Sequence, residues 1–288
     1  MTASAPRSAY LHIPFCHRRC FYCDFAVVPL GDRANAFGGS GSASIEAYLD
    51  QLITEISLSP RGVALATIYV GGGTPSLLRP DQIAVLLQTL RTHFGFQSGA
   101  EITLEMDPAT FQPEDLELLI AAGVTRVSLG GQSFNDERLA AIGRRHRRTD
   151  VVNACHWLQR ALRDGGLHSW SLDLIRNLPD QDDQEWEAQL EQAVALDAPH
   201  LSIYDLSVEP GTVFAWRAKR GELMLPEEDV AADRIAYTTY RLRSAGYCRY
   251  EISNFARPGH ASRHNRVYWS GAGWWAFGLG ATSAPWGE

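Results

Sequence analysis

Short strand-like runs alternate with amphipathic helical segments over the first 206 residues, and this alternation constrains the fold more than any other feature of the sequence. Residues 9–13 (AYLHI), 67–71 (TIYVG), 101–106 (EITLEM), 126–130 (RVSLG), 170–175 (WSLDLI) and 200–206 (HLSIYDL) have the length and composition of strands. Between them, Tyr48, Leu49, Leu52, Ile53 and Ile56 share one helical face. Ile83, Leu86, Leu87 and Leu90 share another, and Leu116, Leu119 and Ile120 form a third stripe. Thr149 reads as the cap of a helix to about Leu162, and residues 185–195 as a further helix. Strict alternation implies parallel strands joined by right-handed crossovers, hence an α/β fold, either a partial barrel of six β/α units or an open doubly wound sheet. In both, functional side chains collect at the carboxyl ends of the strands.

Beyond residue 206 the pattern loosens into a Pro/Gly-bearing segment (209–226), a helix from about Glu227 to Ala245 and a last strand-like run at 249–255. Residues 29–44 read as a flexible Gly/Ser-rich loop, and no internal repeat stands out. A chain of 288 residues, 45% hydrophobic, buries a substantial core without disulfides. The net charge of −7 opposes general attraction to nucleic acid or anionic membranes, and the basic run 143–148 (GRRHRR) reads as a solvated face. From Val267 to Gly287 there is no charged side chain, yet repeated Gly, a Pro, Ser and Thr make a poor apolar helix, so no transmembrane segment is expected. Five cysteines at uneven spacing, without an apolar leader in the first ten residues, point to reduced thiols and a cytoplasmic location.

Three of those cysteines, Cys16, Cys20 and Cys23, form a C-x3-C-x2-C loop just past the first strand. Three thiolates can hold three irons of a [4Fe-4S] cube and leave the fourth iron open to a chelating ligand. The alternative is a zinc site completed by His12, His17 or Asp24. Cys155 and Cys248 read as small buried residues. After the second strand, residues 70–78 (VGGGTPSLL) bring backbone N–H groups close to a ligand, or simply make a tight strand-to-helix turn. Glu105 is expected near the carboxyl edge of the third strand. Gln132 ends the fourth, and the helix that opens after it is expected to carry Arg144; an amide and a guanidinium in one cleft suit a sugar and a carboxylate.

The loop YLHIPFCHRRCFYCDF (residues 10–25) closely resembles the cluster loop of radical S-adenosylmethionine (SAM) proteins, in the branch of the HemW-type heme chaperones and the oxygen-independent coproporphyrinogen III dehydrogenases, which are HemN-like. The resemblance implies a partial (β/α)6 TIM-type barrel over residues 1–206, with Cys16, Cys20 and Cys23 as cluster ligands and SAM chelating the open iron. It places Tyr22 beside the cluster, Tyr10 near SAM, and Gly72, Gly73, Thr74, Glu105, Gln132, Arg144 and Asp173 at SAM. Two positions depart from the usual pattern: Gly131 stands where the branch has Val, with an expected loss of packing, and Asn177 replaces a Gly suited to positive φ.

Within the branch, Cys23-Asp24-Phe25 is the variant of the HemW-type proteins, whereas the dehydrogenases have a further cysteine at the position of Phe25 and an N-terminal extension. Residues 263–269 (RHNRVYW) match their H-N-x-x-Y-W signature, which implies His264 as a heme-iron ligand and Tyr268 and Trp269 as faces for a porphyrin. Without the resemblance this is a structural turn, with His264 hydrogen-bonded and the aromatics in the core. Trp274, Trp275 and Phe277 line a porphyrin-sized groove or pack against a following domain. Residues 207–288 thus read as a barrel-flanking segment in a chain that lacks the family's small C-terminal domain. The function implied is that of a heme chaperone binding a [4Fe-4S] cluster, SAM and heme, partnered by a heme acceptor and a reductant such as flavodoxin or ferredoxin. The alternative is a dehydrogenase in which SAM cleavage yields a 5′-deoxyadenosyl radical that abstracts hydrogen from coproporphyrinogen III propionates. A zinc-stabilised binding protein is the third possibility.

Overall fold

The computed structural model describes residues 5–31, 33 and 40–285. Six parallel strands carry the architecture: β1 (Ser8–Ile13), β4 (Leu65–Gly72), β5 (Phe96–Met106), β6 (Arg126–Gln132), β7 (Ser169–Arg176) and β8 (His200–Asp205). Each pairs with the next in chain order, so the sheet never reverses, as a doubly wound sheet must at its switch point. The arrangement is that of a partial barrel.

Two short strands at the cysteine loop, β2 (Phe15–Cys16) and β3 (Val28–Pro29), pair with each other. The edges of the main sheet come from the C-terminal segment. β11 (Trp275–Phe277) runs parallel to β1, while β10 (Asn254–Ala256) runs antiparallel to β8 and is followed outward by β9 (Cys248–Arg249). The single strand expected at 249–255 is therefore two strands. The Glu251 carboxylate accepts the Ser253 N–H and folds the chain back between them. Residues beyond 206 are part of the same sheet.

The outward strand face is apolar, with Leu11, Ile68, Leu104, Val127, Leu172 and Leu201 all at most 4% exposed. It packs under α1 (Ser40–Leu58), α2 (Pro80–Phe94), α3 (Pro113–Ala122), α5 (Arg148–Arg163) and α6 (Asp183–Ala195); the expected stripes supply Leu52, Ile56, Leu86, Leu90 and Leu116, and α5 adds Leu158. Full burial of each such side chain contributes about 1.5–3 kcal/mol. The concave face is different: Tyr10, Tyr69, Thr103, Glu105, Arg126, Ser128, Ser171, Asp173, His200 and Ser202 alternate with the apolar set. A barrel interior lined with polar groups encloses cavities rather than an apolar core.

Some details differ from the sequence reading. Arg147 caps α5, so Thr149 lies within its first turn. The Pro/Gly-bearing segment holds a helix, α7 (Val213–Lys219), nucleated by the Thr212 hydroxyl, which accepts the Ala215 N–H. α8 (Glu228–Ser244) forms as expected. Cys155 is buried but Cys248, on an edge strand, is exposed. Residues 32 and 34–39 of the expected Gly/Ser-rich loop lie outside the described residues, and from Ser40 the chain is already helical. Among the described residues no helix is long and apolar enough to cross a membrane.

Candidate functional site

The cysteine loop is tied down along its length. Val28 donates to the Pro14 carbonyl at 2.7 Å and Leu30 to that of Cys16 at 2.8 Å, pinning the two ends together. Its middle is strapped to the segment after α4 (Asp136–Ala141): Phe21 N–H reaches the Ile142 carbonyl at 3.0 Å, and Arg18 donates to the carbonyls of Gly143 (2.6 Å) and Arg144 (2.8 Å). Cys16, Cys20 and Cys23 then face a cleft of about 730 Å³ at the carboxyl ends of the strands. That volume is in the range of cofactor sites.

The strand ends supply the rest of the lining. Tyr22, Gly72, Gly73, Thr74, Glu105, Gln132, Arg144 and Asp173 all border this cleft with the three cysteines. Tyr10 does not; its hydroxyl bonds His12 Nδ1 at 3.0 Å, and the His12 ring packs beneath Gly72. Gly72 has φ +115°, and a Cβ there would also meet the His12 ring at 2.6 Å. A Cβ at Gly73 would meet the Phe15 carbonyl oxygen at 2.7 Å and Cys16 Sγ at 2.9 Å. Only glycines allow the turn and the cysteine strand to approach this closely.

Glu105 accepts from the Tyr69 hydroxyl at 2.8 Å and the Gly72 N–H at 2.9 Å. Burial raises its pKa to about 7, despite those two donors. Asp173 accepts from Ser128 (2.8 Å) and Ser171 (2.7 Å), and burial raises its pKa too. Burial would also raise Asp107, but the Arg144 guanidinium at 2.8 Å and His146 at 3.3 Å hold it below the usual carboxylate range. Arg144, expected on the helix after the fourth strand, lies in the turn beyond the end of α4 and also reaches Cys20 Sγ at 3.7 Å. Cys16 is pushed up to about 11 by burial, partly offset by the Thr74 hydroxyl at 3.5 Å. Gln132 holds φ +63°, a conformation uncommon outside glycine that places local strain at the cleft.

Three residues of this network lay outside the sequence reading. Asp107 shares a strand-face parity with Glu105, a signal that could have found it. His146 lies within the basic run read as a solvated face, yet it is fully buried under Asp107. Tyr204, 42% exposed, opens onto the cleft from β8.

The two departures from the family pattern have local explanations. Asn177 does adopt φ +63°, and its side chain joins Asp205 (2.8 Å) to Arg234 (3.0 Å). At Gly131, contrary to the expected loss of packing, Leu172 and Val151 occupy the space: a Cβ would meet them at 2.8 and 3.1 Å.

His264 lies elsewhere. It is fully buried inside the barrel near the start of β4, with Nδ1 2.8 Å from the Thr67 hydroxyl and Nε2 2.9 Å from that of Tyr268. Burial and then the charge of Arg126 push its pKa down to about 3. Both ring nitrogens are engaged here, so the ligand role the resemblance implied would require the Thr67 or Tyr268 hydroxyl to give way to the iron. Tyr268 and Trp269 are exposed, at 41% and 57%, rather than in the core, and Tyr268 packs edge-on against Trp274. Trp275 and Phe277 form β11 and pack on Phe94.

Residues 10–193 match the Radical SAM superfamily. The chain belongs to that superfamily. This radical SAM chain is 40% identical to the heme chaperone HemW of Synechocystis sp. over 96% of its own length and 66% of the relative's. It is 36% identical to that of Escherichia coli over 98% and 71% respectively. Among solved structures, the coproporphyrinogen III oxidase HemN of Escherichia coli, described as a radical SAM enzyme, matches with a TM-score of 0.80 at 27% identity, over 98% of this chain and 65% of that one. The chain thus spans about two thirds of the length of these proteins, and it lies in the HemW/HemN-like part of the superfamily.

Superfamily membership implies a [4Fe-4S] cluster and SAM, and the residues present fit both. Three thiols line one cleft, while among the described residues no three His, Cys, Asp or Glu side chains gather closely enough to hold a single metal ion. Separate irons of a cube suit that spread better than one zinc. Arg144 keeps a buried Nε that has no hydrogen-bond partner among the described residues, and its Nη1 lies beside Cys20 Sγ. Glu105, Gln132 and Asp173 line the same cleft and would offer acceptors to the ribose and ammonium groups of a bound SAM. When bound, cluster and SAM supply one-electron reductive chemistry. The chain brings the three sulfurs to one cleft, fixes the strand ends around it and places Arg144 between thiol and carboxylate.

Proposed function

We propose that this chain is a HemW-type heme chaperone, holding a [4Fe-4S] cluster through Cys16, Cys20 and Cys23 with SAM in the adjoining cleft, and delivering heme to an acceptor protein. A low-potential carrier such as flavodoxin or ferredoxin is the reductant. The observation that carries this reading is the markedly higher sequence identity to proteins named heme chaperone HemW than to the oxidase HemN. Phe25 after Cys23-Asp24 supports it from the sequence itself. Heme lies against the exposed Tyr268 and Trp269, the flat apolar faces available on α9 (Arg263–Trp269), while His264 orients the Tyr268 hydroxyl.

The test is a heme titration of the anaerobically reconstituted protein, followed by absorbance. Saturation at one heme per chain, weakened in Trp269→Ala, is expected; no saturable binding by a chain with full iron content overturns the reading. The likeness to HemN over nearly the whole chain favours a second reading, an oxidase acting on coproporphyrinogen III. Its signature is SAM-dependent decarboxylation of that porphyrinogen by a preparation that does not bind heme.

A further inference from the structure

The barrel has a second cavity at the end opposite the cysteine loop. It measures about 170 Å³, lies where β6 and β7 begin, and is lined in part by Glu101, Arg126, His168, Ser169, His260 and Arg263. Arg126, the first residue of β6, is only 2% exposed. Its Nε and Nη2 are buried and have no hydrogen-bond partner among the described residues. A guanidinium does not lose its proton in a protein, so this is a fixed cation held inside the barrel, with no carboxylate among the described residues in direct hydrogen-bond contact with Nε or Nη2.

The carboxylates that face it are engaged elsewhere. Glu101 accepts from the Ser262 hydroxyl (3.4 Å) and from the backbone N–H groups of Arg263 (3.0 Å) and His264 (2.9 Å). Asp173 is taken by Ser128 and Ser171. His200, His260 and His264 are all pushed toward the neutral form, by burial first and then by Arg126, so none competes with a positive charge of its own. At the exposed rim, Arg263 is held by the Gly99 carbonyl at 2.7 Å. Beside His260 the lining carries two guanidinium cations and one carboxylate already committed to three donors.

We propose that this cavity is an oxyanion site, in which Arg126 from the buried end and Arg263 from the rim hold one carboxylate or phosphate group. The volume suits one such group and excludes a nucleotide. A buried cation becomes favourable once it is paired and hydrogen-bonded, and Arg presents a planar fork that matches either oxyanion. Because Arg263 shares α9 with the exposed Tyr268 and Trp269, the group is either free phosphate or a carboxylate of a molecule lying on that helix.

The test is calorimetric titration of the full chain with inorganic phosphate and with acetate, alongside Arg126→Met and Arg263→Gln. Saturable binding is expected, lost in Arg126→Met and weakened about tenfold in Arg263→Gln, the worth of one charge-assisted hydrogen bond. Should Arg126→Met fail to fold, Arg263→Gln decides alone. No saturable binding of either anion, or unchanged affinity in the variants that fold, overturns the proposal. Phosphate that weakens binding of heme but not of its dimethyl ester assigns the site to a porphyrin carboxylate. Phosphate that binds without affecting heme assigns it to the free ion. Both results support the site, and the phosphate titration stands even if the chain binds no heme.

Discussion

Arg144 Nη1 stands 3.7 Å from Cys20 Sγ, so a cation on the segment that straps the cysteine loop reaches one of its three thiols. The same guanidinium donates to Asp107 at 2.8 Å and to the Gly130 carbonyl at 2.9 Å. Removing it leaves a largely buried carboxylate short of its main partner. Arg144→Met is expected to lose about 3 kcal/mol of stability, the usual scale for breaking a buried pair from one side. It is also expected to incorporate less than half the parental iron (roughly, given the strength of charge-assisted bonds). Denaturation midpoints and iron assays check both; a variant matching the parent in each would remove Arg144 from the anchoring of the loop.

Gly73 tests the turn in a different way. The atoms that a Cβ would strike belong to backbone at Pro14 and Phe15 and to the Cys16 sulfur, so nothing flexible can yield. Gly73→Ala should displace the strand that carries Cys16 and lower iron and sulfide content together, with the remainder of the barrel folded by circular dichroism. Full cluster loading in this variant would mean that the loop has more freedom than its hydrogen bonds indicate.

Much of this architecture was legible in the sequence. The alternation of runs and stripes pointed to six parallel strands, because two-residue and 3.6-residue periods report directly on which face is buried. It could not choose between barrel and doubly wound sheet, since both have that pattern; the choice lies in which strands pair. α7 escaped because a seven-residue helix capped by Thr212 shows too few turns to display a period. Asp107 and His146 meet across 39 positions, and nothing local to the basic run distinguishes the buried imidazole from its solvated neighbours. His264 is the same case on a larger scale, its partner Thr67 being 197 positions away.

Asn177 is held by its backbone and its side chain at once. Its positive φ costs an ordinary residue about 1–2 kcal/mol, and its amide joins Asp205 to Arg234. Asn177→Ala should therefore lose about 2–3 kcal/mol, strain and hydrogen bonds together. Asn177→Gly, which loses the same hydrogen bonds but adopts the positive φ without strain, should lose about 1 kcal/mol. Urea denaturation of the pair separates the two contributions, and equal losses would show that φ contributes nothing.

Glu105 gives the fold a pH dependence opposite to that of most carboxylates. Burial raises its pKa to about 7, with the Tyr69 and Gly72 donors pulling the other way and the Asp173 charge adding to the rise. In the unfolded chain a glutamate titrates at about 4.3. Between these values the folded protein keeps a proton that the unfolded chain has released, so stability falls as pH rises. The contribution is fully present below about pH 4.3 and is lost by the time pH passes through about 7. The loss amounts to about 4 kcal/mol at most, since each pH unit between the two values is worth about 1.4 kcal/mol. Asp173, also raised, adds to the slope in the same direction, so the diagnostic quantity is the difference between parent and variant. In Glu105→Gln the midpoint of urea unfolding, followed from pH 5 to 8 on cluster-free protein, should fall less steeply than in the parent. The amide of that variant offers one acceptor oxygen to two donors, which shifts its curve as a whole without changing the slope. Parallel curves would place the proton elsewhere and leave Glu105 ionised throughout.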